Sequence, residues 1–271
     1  MTELETSPSF PPIRDVIVIL LLTLMLTFFS ALLGALLGMK TGLFLTEAVI
    51  IIPALVYVLY YKFPLKALFR LRSVSLPLIG ISVILGIGLS VLVDEFDRLF
   101  QLILPMPEIL KEMMEKSLVI NSLGDLLIIG FSAVILASVL EELLFRGFVQ
   151  ISFEKTFDVT RGVMATAILF AVAHLNPWWT VQFTFFGIFL GVMAWKSNSV
   201  IPSIIVHFIN NGIALGYSNV PPEKLTWYAG EAHVQIPILI LAILSTYFGM
   251  KYFYIFSDKM RGEQISDYSE E

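Results

Sequence analysis

Long apolar runs broken by short polar stretches recur along the whole chain, at 16–38, 42–61, 76–93, 128–150, 162–178, 179–195, 199–218 and 235–256. Each comes close to the roughly 20 apolar residues that an α-helix needs to cross a hydrocarbon core of about 30 Å. The pattern predicts an all-α, polytopic membrane protein of about eight transmembrane helices. The first run is longer than the apolar core of a secretory signal, and Arg14 and Asp15 flank it in place of a basic cluster, so it reads as a retained span.

Two connecting stretches carry further signals. From Asp94 to Ser122, apolar residues at helical spacing mix with Glu108, Lys111, Glu112, Glu115 and Lys116, which suits an amphipathic helix on the membrane surface, either a plain connector or a gate for substrate. Trp178 and Trp179 mark the outer interface between spans five and six. Sorting the basic residues of the eight-span arrangement puts Arg14, Lys62, Lys66, Arg70, Arg72, Lys155, Arg161, Lys196, Lys251, Lys259 and Arg261 on one side. Lys40, Arg98, Lys111, Lys116 and Lys224 fall on the other. The richer side should be cytoplasmic, which places both termini there.

Composition agrees with the pattern. Apolar residues make up 57% of the 271 positions, charged ones 14%, and mean hydropathy is +0.86. That is a multi-pass cell-membrane protein whose solvent is the lipid bilayer. The net charge of -5 comes without any basic stripe, which argues against a nucleic-acid partner. The absence of cysteine excludes a thiol nucleophile, a disulfide framework and a thiolate metal site. Hydrolytic chemistry would have to run on carboxylates, hydroxyls, histidines or a metal.

Ionisable side chains inside a bilayer are costly, about 2.5–3.5 kcal/mol each on insertion scales, and are therefore functional candidates. They concentrate in the second half: Glu141, Glu142 and Arg146 in span four, His174 in span five, His207 and Asn211 in span seven. Glu142 and Arg146 are four apart and share a helix face, where the guanidinium can neutralise the carboxylate. Glu141 points about 100° away and meets Phe145 at the corresponding place, which leaves it free to act as a base or, alternatively, to bind Arg146 as a second carboxylate. Glu141 precedes the polar turn at Asp158 by about as many residues as His174 follows it, so an antiparallel helix pair would bring the two to one depth. His207 and Asn211, also four apart, can present two donors to one developing oxyanion.

Glu141-Glu142-x-x-x-Arg146, Phe170-x-x-x-His174 and His207-x-x-x-Asn211 resemble, in order and spacing, the three motifs of the CAAX protease and bacteriocin-processing (CPBP, or Abi) intramembrane proteases. The resemblance covers roughly residues 127 to 217. It implies a glutamate-dependent endopeptidase acting near the cytoplasmic side of the membrane on a membrane-tethered or membrane-embedded protein or peptide. By that resemblance Glu141 with His174 activates water, His207 with Asn211 holds the oxyanion, and Glu142 with Arg146 braces the site. The chain then divides into N-terminal spans and amphipathic segment (1–126), a CPBP catalytic core (127–217), and an outer loop, last span and acidic tail (218–271).

Other readings remain open at this stage. Glu141, His174 and His207 offer one oxygen and two nitrogens, a set that suits zinc with an open fourth position. Asn211 and Arg146, however, fit an oxyanion and a carboxylate better than a cation, so the preferred reading requires no cofactor. A noncatalytic membrane scaffold or immunity factor could use the same polar cluster only to fix helix packing. Glu47 is expected to snorkel to the interface and His233 to be solvated. Ser132 and Ser138 are expected to bond between helices, and no Gly-x-Ser-x-Gly elbow accompanies them. Leu123-Gly124-Asp125 falls short of an intramembrane aspartyl protease motif, and His-Glu-x-x-His is absent.

Overall fold

The computed structural model describes residues 10–230 and 232–269, so part of the acidic tail lies outside the described residues. Among these the chain is helical without a strand, apart from one isolated bridge between Ala229 and Val234. Five stretches are long and apolar enough to cross a membrane: Ile13–Gly34, Met39–Tyr60, Leu76–Ile103, Leu123–Thr156 and Ile236–Met260. Bands of exposed leucine, isoleucine and phenylalanine on the first and last of these, from Leu21 to Leu33 and from Ile240 to Phe248, would be untenable in water and are natural against lipid.

Helix α1 (Ile13–Leu37) is followed by α2 (Met39–Val49) and α3 (Ile52–Tyr60), with a short α4 (Leu65–Leu68) before α5 (Leu76–Ile103). The expected second span is broken because Pro53 has no backbone N–H and its ring crowds the carbonyl of Val49. Helix α5 outruns its apolar stretch by about ten residues. Its polar extension is sustained by side-chain bonds one turn apart, Arg98 to Asp94 at 2.9 Å and Gln101 to Asp97 at 2.6 Å. Only α6 (Glu108–Leu118), which buries no residue, is the separate amphipathic helix expected of that stretch.

The fourth long stretch combines α7 (Leu123–Ile129), a π-helical segment Gly130–Leu136, α8 (Ala137–Glu142), a second π-helical segment Leu143–Val149, and α9 (Gln150–Thr156). Helix α10 (Val159–Ala173) returns antiparallel to it, capped by Asp158, whose carboxylate accepts from the Arg161 N–H at 2.9 Å. Then come α11 (Thr180–Ser197), α12 (Ile201–Ser218), a 3-10 turn at Pro222–Lys224 and α13 (Ile236–Ser269).

Two apolar clusters flank a polar seam. One joins α1, α3, α9 and α10 through Val16, Val58, Phe148, Phe153 and Phe170. The other joins α5, α11, α12 and α13 through Leu78, Leu85, Leu89, Phe186, Leu190, Val206 and Phe253. Between them runs a line of residues four apart, Glu142, Arg146, Gln150 and Glu154. In a regular α-helix each step of four overshoots one turn by about 40°. The wider π-helical turn at Leu143–Val149 offsets that drift and keeps the polar groups in register.

Candidate active site

The polar seam pairs its charges within the protein, as hydrocarbon favours. Arg146 and Glu142 are completely buried, with Nη1 donating to Oε1 at 2.8 Å, and the guanidinium also lies 4.2 Å from the centre of the Phe170 ring. Gln150 Nε2 donates to Glu154 Oε1 at 2.7 Å and to the Gly191 carbonyl at 2.9 Å, while Arg70 pairs with Glu154. The sequence reading placed Arg70 only among the basic residues of one membrane side and did not single out Gln150 or Glu154. Continuing the four-residue step past Arg146 would have found the last two.

Glu142 has a second partner that its spacing to Arg146 did not disclose. His207 Nδ1 lies 3.0 Å from the same oxygen, Oε1, and His207 is 4% exposed. A carboxylate held by a guanidinium accepts, so Nδ1 carries the hydrogen and, in the neutral ring, Nε2 carries the lone pair. His174 follows the same logic. It caps α10, just before Leu175 turns the chain at φ 51°, and its Nδ1 lies 2.7 Å from the Phe170 carbonyl, which can only accept. Its Nε2 is therefore the acceptor as well. The rings of Phe170, Phe183 and Phe186 pack at their edges against the two imidazoles and fix their planes.

Both Nε2 atoms face Glu141. Its Oε2, buried and without a hydrogen-bond partner, lies 3.8 Å from His174 Nε2 and 4.0 Å from His207 Nε2. Those gaps exceed a direct hydrogen bond and suit a shared water. Three acceptors around one gap can take both hydrogens of such a water. Arg146 bonds to Glu142 and not to Glu141, which leaves the latter free for chemistry.

Asn211 lines the same cavity, but one of its amide hydrogens is engaged: Nδ2 donates to the Ala133 carbonyl at 2.9 Å. That carbonyl lies in the first π-helical segment, where the Ala137 N–H reaches back five residues to Ser132. The second amide hydrogen of Asn211 remains for another acceptor. Ser132 and Ser138 bond back to carbonyls of their own helix, Ile128 and Val134, each at 2.6 Å, and do not bridge helices. Asp125 pairs with Lys40 at 2.6 Å, a structural tie at the start of α7.

The cavity around these groups measures about 350 Å³ and is lined along its length by Glu141, His174, His207, Asn211, Asp97 and Tyr217, among others. Glu47 lines it too, which corrects the expectation that it snorkels. It sits eight residues into α2 from Met39, about 12 Å along the axis and too deep to reach an interface, and α2 packs on the π-helical segment before α8. Its Oε2 is buried without a hydrogen-bond partner. His233, exposed as expected, nevertheless holds Glu95 at 3.0 Å, and the neighbouring Val234 N–H donates to the same carboxylate at 2.8 Å. Tyr228 donates to Asp94 at 2.8 Å, and burial first, then the Asp94 charge, push its hydroxyl above the ordinary phenol range. These contacts lay the loop before α13 against the end of α5.

Comparison with known proteins bears on this segment. Residues 123–213 match the family model of Rce1-like, type II CAAX prenyl endopeptidases. The matched stretch holds Glu141, Glu142, Arg146, His174, His207 and Asn211 and accords with the resemblance to CAAX proteases read from the motifs. No curated protein and no solved structure matches the chain. The matched segment and the apolar helices around it belong to a multi-pass membrane protein.

As for a metal, tetrahedral zinc with bonds of about 2.0–2.1 Å has ligand-to-ligand edges near 3.3 Å. The Glu141 to imidazole separations of 3.8 and 4.0 Å are wider, and among the described residues no group of three or more His, Asp or Glu forms a metal-binding cluster. The donor set as it stands does not fit the ion.

Proposed function

We propose that this protein is an intramembrane endopeptidase, with eight crossings and cytoplasmic termini, that hydrolyses a peptide bond in a membrane-tethered or membrane-embedded substrate. The observation that carries the reading is the meeting of Glu141 Oε2 with two imidazole Nε2 atoms within 4.0 Å, all three from the segment that matches the Rce1-like family model and all lining one cavity. Water held between Glu141 and His174 gives a proton to the carboxylate as its oxygen bonds to the substrate carbonyl carbon. The carbonyl oxygen becomes an oxyanion, which the free Asn211 N–H stabilises together with His207, whose ring Glu142 holds through Nδ1. Collapse of the tetrahedral centre breaks the C–N bond, and the proton taken from water passes to the departing amine.

Glu142 and Arg146 touch no substrate in this mechanism; they hold His207. The test is turnover of a membrane peptide substrate by purified wild type and by Glu141→Ala, His174→Ala and His207→Ala. Each substitution should abolish cleavage while the protein still purifies as a folded species. Unchanged cleavage in all three would defeat the assignment and leave the polar cluster a scaffold for helix packing.

A further inference from the structure

A second cavity, of about 310 Å³, lies against the first. Leu24 and Phe28 of α1, Ile50 at the end of α2, and Phe145 and Leu175 give it an apolar wall. Among the described residues only Glu47, Glu141 and His174 line both cavities, so these three side chains form the partition between them. Helix α2 brings Glu47 there by packing on α8, the helix that carries Glu141. Two of the three have a part in the proposed hydrolysis; Glu47 has none.

Like Oε2 of Glu141, Oε2 of Glu47 is buried and has no hydrogen-bond partner. Among the described residues no lysine or arginine lines either cavity. Leaving a buried acceptor open is costly, so one that the fold does not satisfy calls for a donor from whatever occupies the cavity. Peptide hydrolysis at Glu141 produces such a donor. When the C–N bond breaks, its electron pair stays on nitrogen, which takes the proton held by Glu141 and then the one left on the new acid. The amine ends with three hydrogens and a positive charge, and a carboxyl group suits it both as acceptor and as counter-charge. A contact of this kind strengthens as the bond breaks, which is the condition for it to speed the reaction.

We propose that Glu47 is a further catalytic residue, whose carboxyl group receives the departing amine at the junction of the two cavities while Glu141 serves the water. That the amine is a product of cleavage rests on the peptidase reading; that the junction binds an amine does not.

Hexylamine, an alkylammonium at neutral pH, is the probe, and hexanol, with the same chain and no charge, is its control. Hexylamine should raise the unfolding temperature of the purified protein in detergent by more than hexanol does. Glu47→Gln, which keeps the size of the side chain, should need about tenfold more hexylamine for the same rise, as loss of one charge-assisted hydrogen bond implies. Hexanol should act alike on both proteins. A wild type that answers alike to the two probes, or a Glu47→Gln protein that answers to hexylamine as wild type does, would overturn the amine site. In turnover, Glu47→Gln should lower kcat about tenfold on a peptide amide and leave the corresponding ester, which releases an alcohol, within about twofold. Equal losses on amide and ester would overturn the catalytic role. The hexylamine measurement needs no turnover, so a wild type that binds hexylamine through Glu47 but cleaves nothing would defeat the peptidase reading and leave the amine site standing.

Discussion

Replacing Glu142 with alanine deprives two buried groups of one shared partner. The Arg146 guanidinium, fully buried, loses its 2.8 Å ion pair, and His207 Nδ1 loses its 3.0 Å acceptor. Removing one member of a buried pair costs about 3–5 kcal/mol, because the remaining charge stays desolvated. An orphaned buried donor adds about 1–3 kcal/mol. The two overlap, since both groups bind Oε1, so the loss should be about 4–6 kcal/mol, or on the order of 10–15 °C in Tm by the scaling of soluble domains. Thermal unfolding in detergent, followed by tryptophan fluorescence, measures it without reference to activity. Glu142→Gln, which keeps an acceptor but not the charge, should lose about half as much. The double variant Glu142→Leu with Arg146→Met should be more stable than the sum of its single changes by about 2 kcal/mol or more, because it leaves no unpaired charge. Additive losses, or an undisturbed Glu142→Ala protein, would refute the account of a pair that braces His207.

Asn211→Ala should lower kcat about 100- to 1000-fold with little change in KM, since its free N–H acts on the oxyanion alone; an equal effect confined to KM would reassign it to substrate binding. Glu141→Gln should abolish cleavage yet leave the unfolding temperature within a few degrees, because Oε2 has no hydrogen bond to lose. A large destabilisation would instead make Glu141 a structural residue. Cleavage should persist in strong chelator, as the wide Glu141 to imidazole separations imply. Loss of activity restored by zinc alone would replace the water mechanism with a metal one.

How much of the site was legible depended on whether its geometry is local. The Glu142 to Arg146 pair, the register of Asn211 with His207, and the meeting of Glu141 with His174 across one antiparallel turn all follow from helical periodicity, a local rule. The bond from His207 to Glu142 spans 65 positions and two helices, and nothing in either motif encodes it. Glu47 was misjudged for a related reason. Its depth follows from where α2 begins, but the neighbour it faces is chosen by the packing of α2 on the π-helical segment before α8.

The sequence by itself determined that the chain lives in lipid, that it is helical, and which half carries the ionisable groups. These are consequences of hydropathy and composition, which act residue by residue. Only the tertiary structure decided that Oε1 of Glu142 serves both Arg146 and His207, that Asn211 is anchored to Ala133, and that Glu47 lines the same cavity as Glu141. Such features arise from how packed helices meet, and many sequences of the same hydropathy would meet differently.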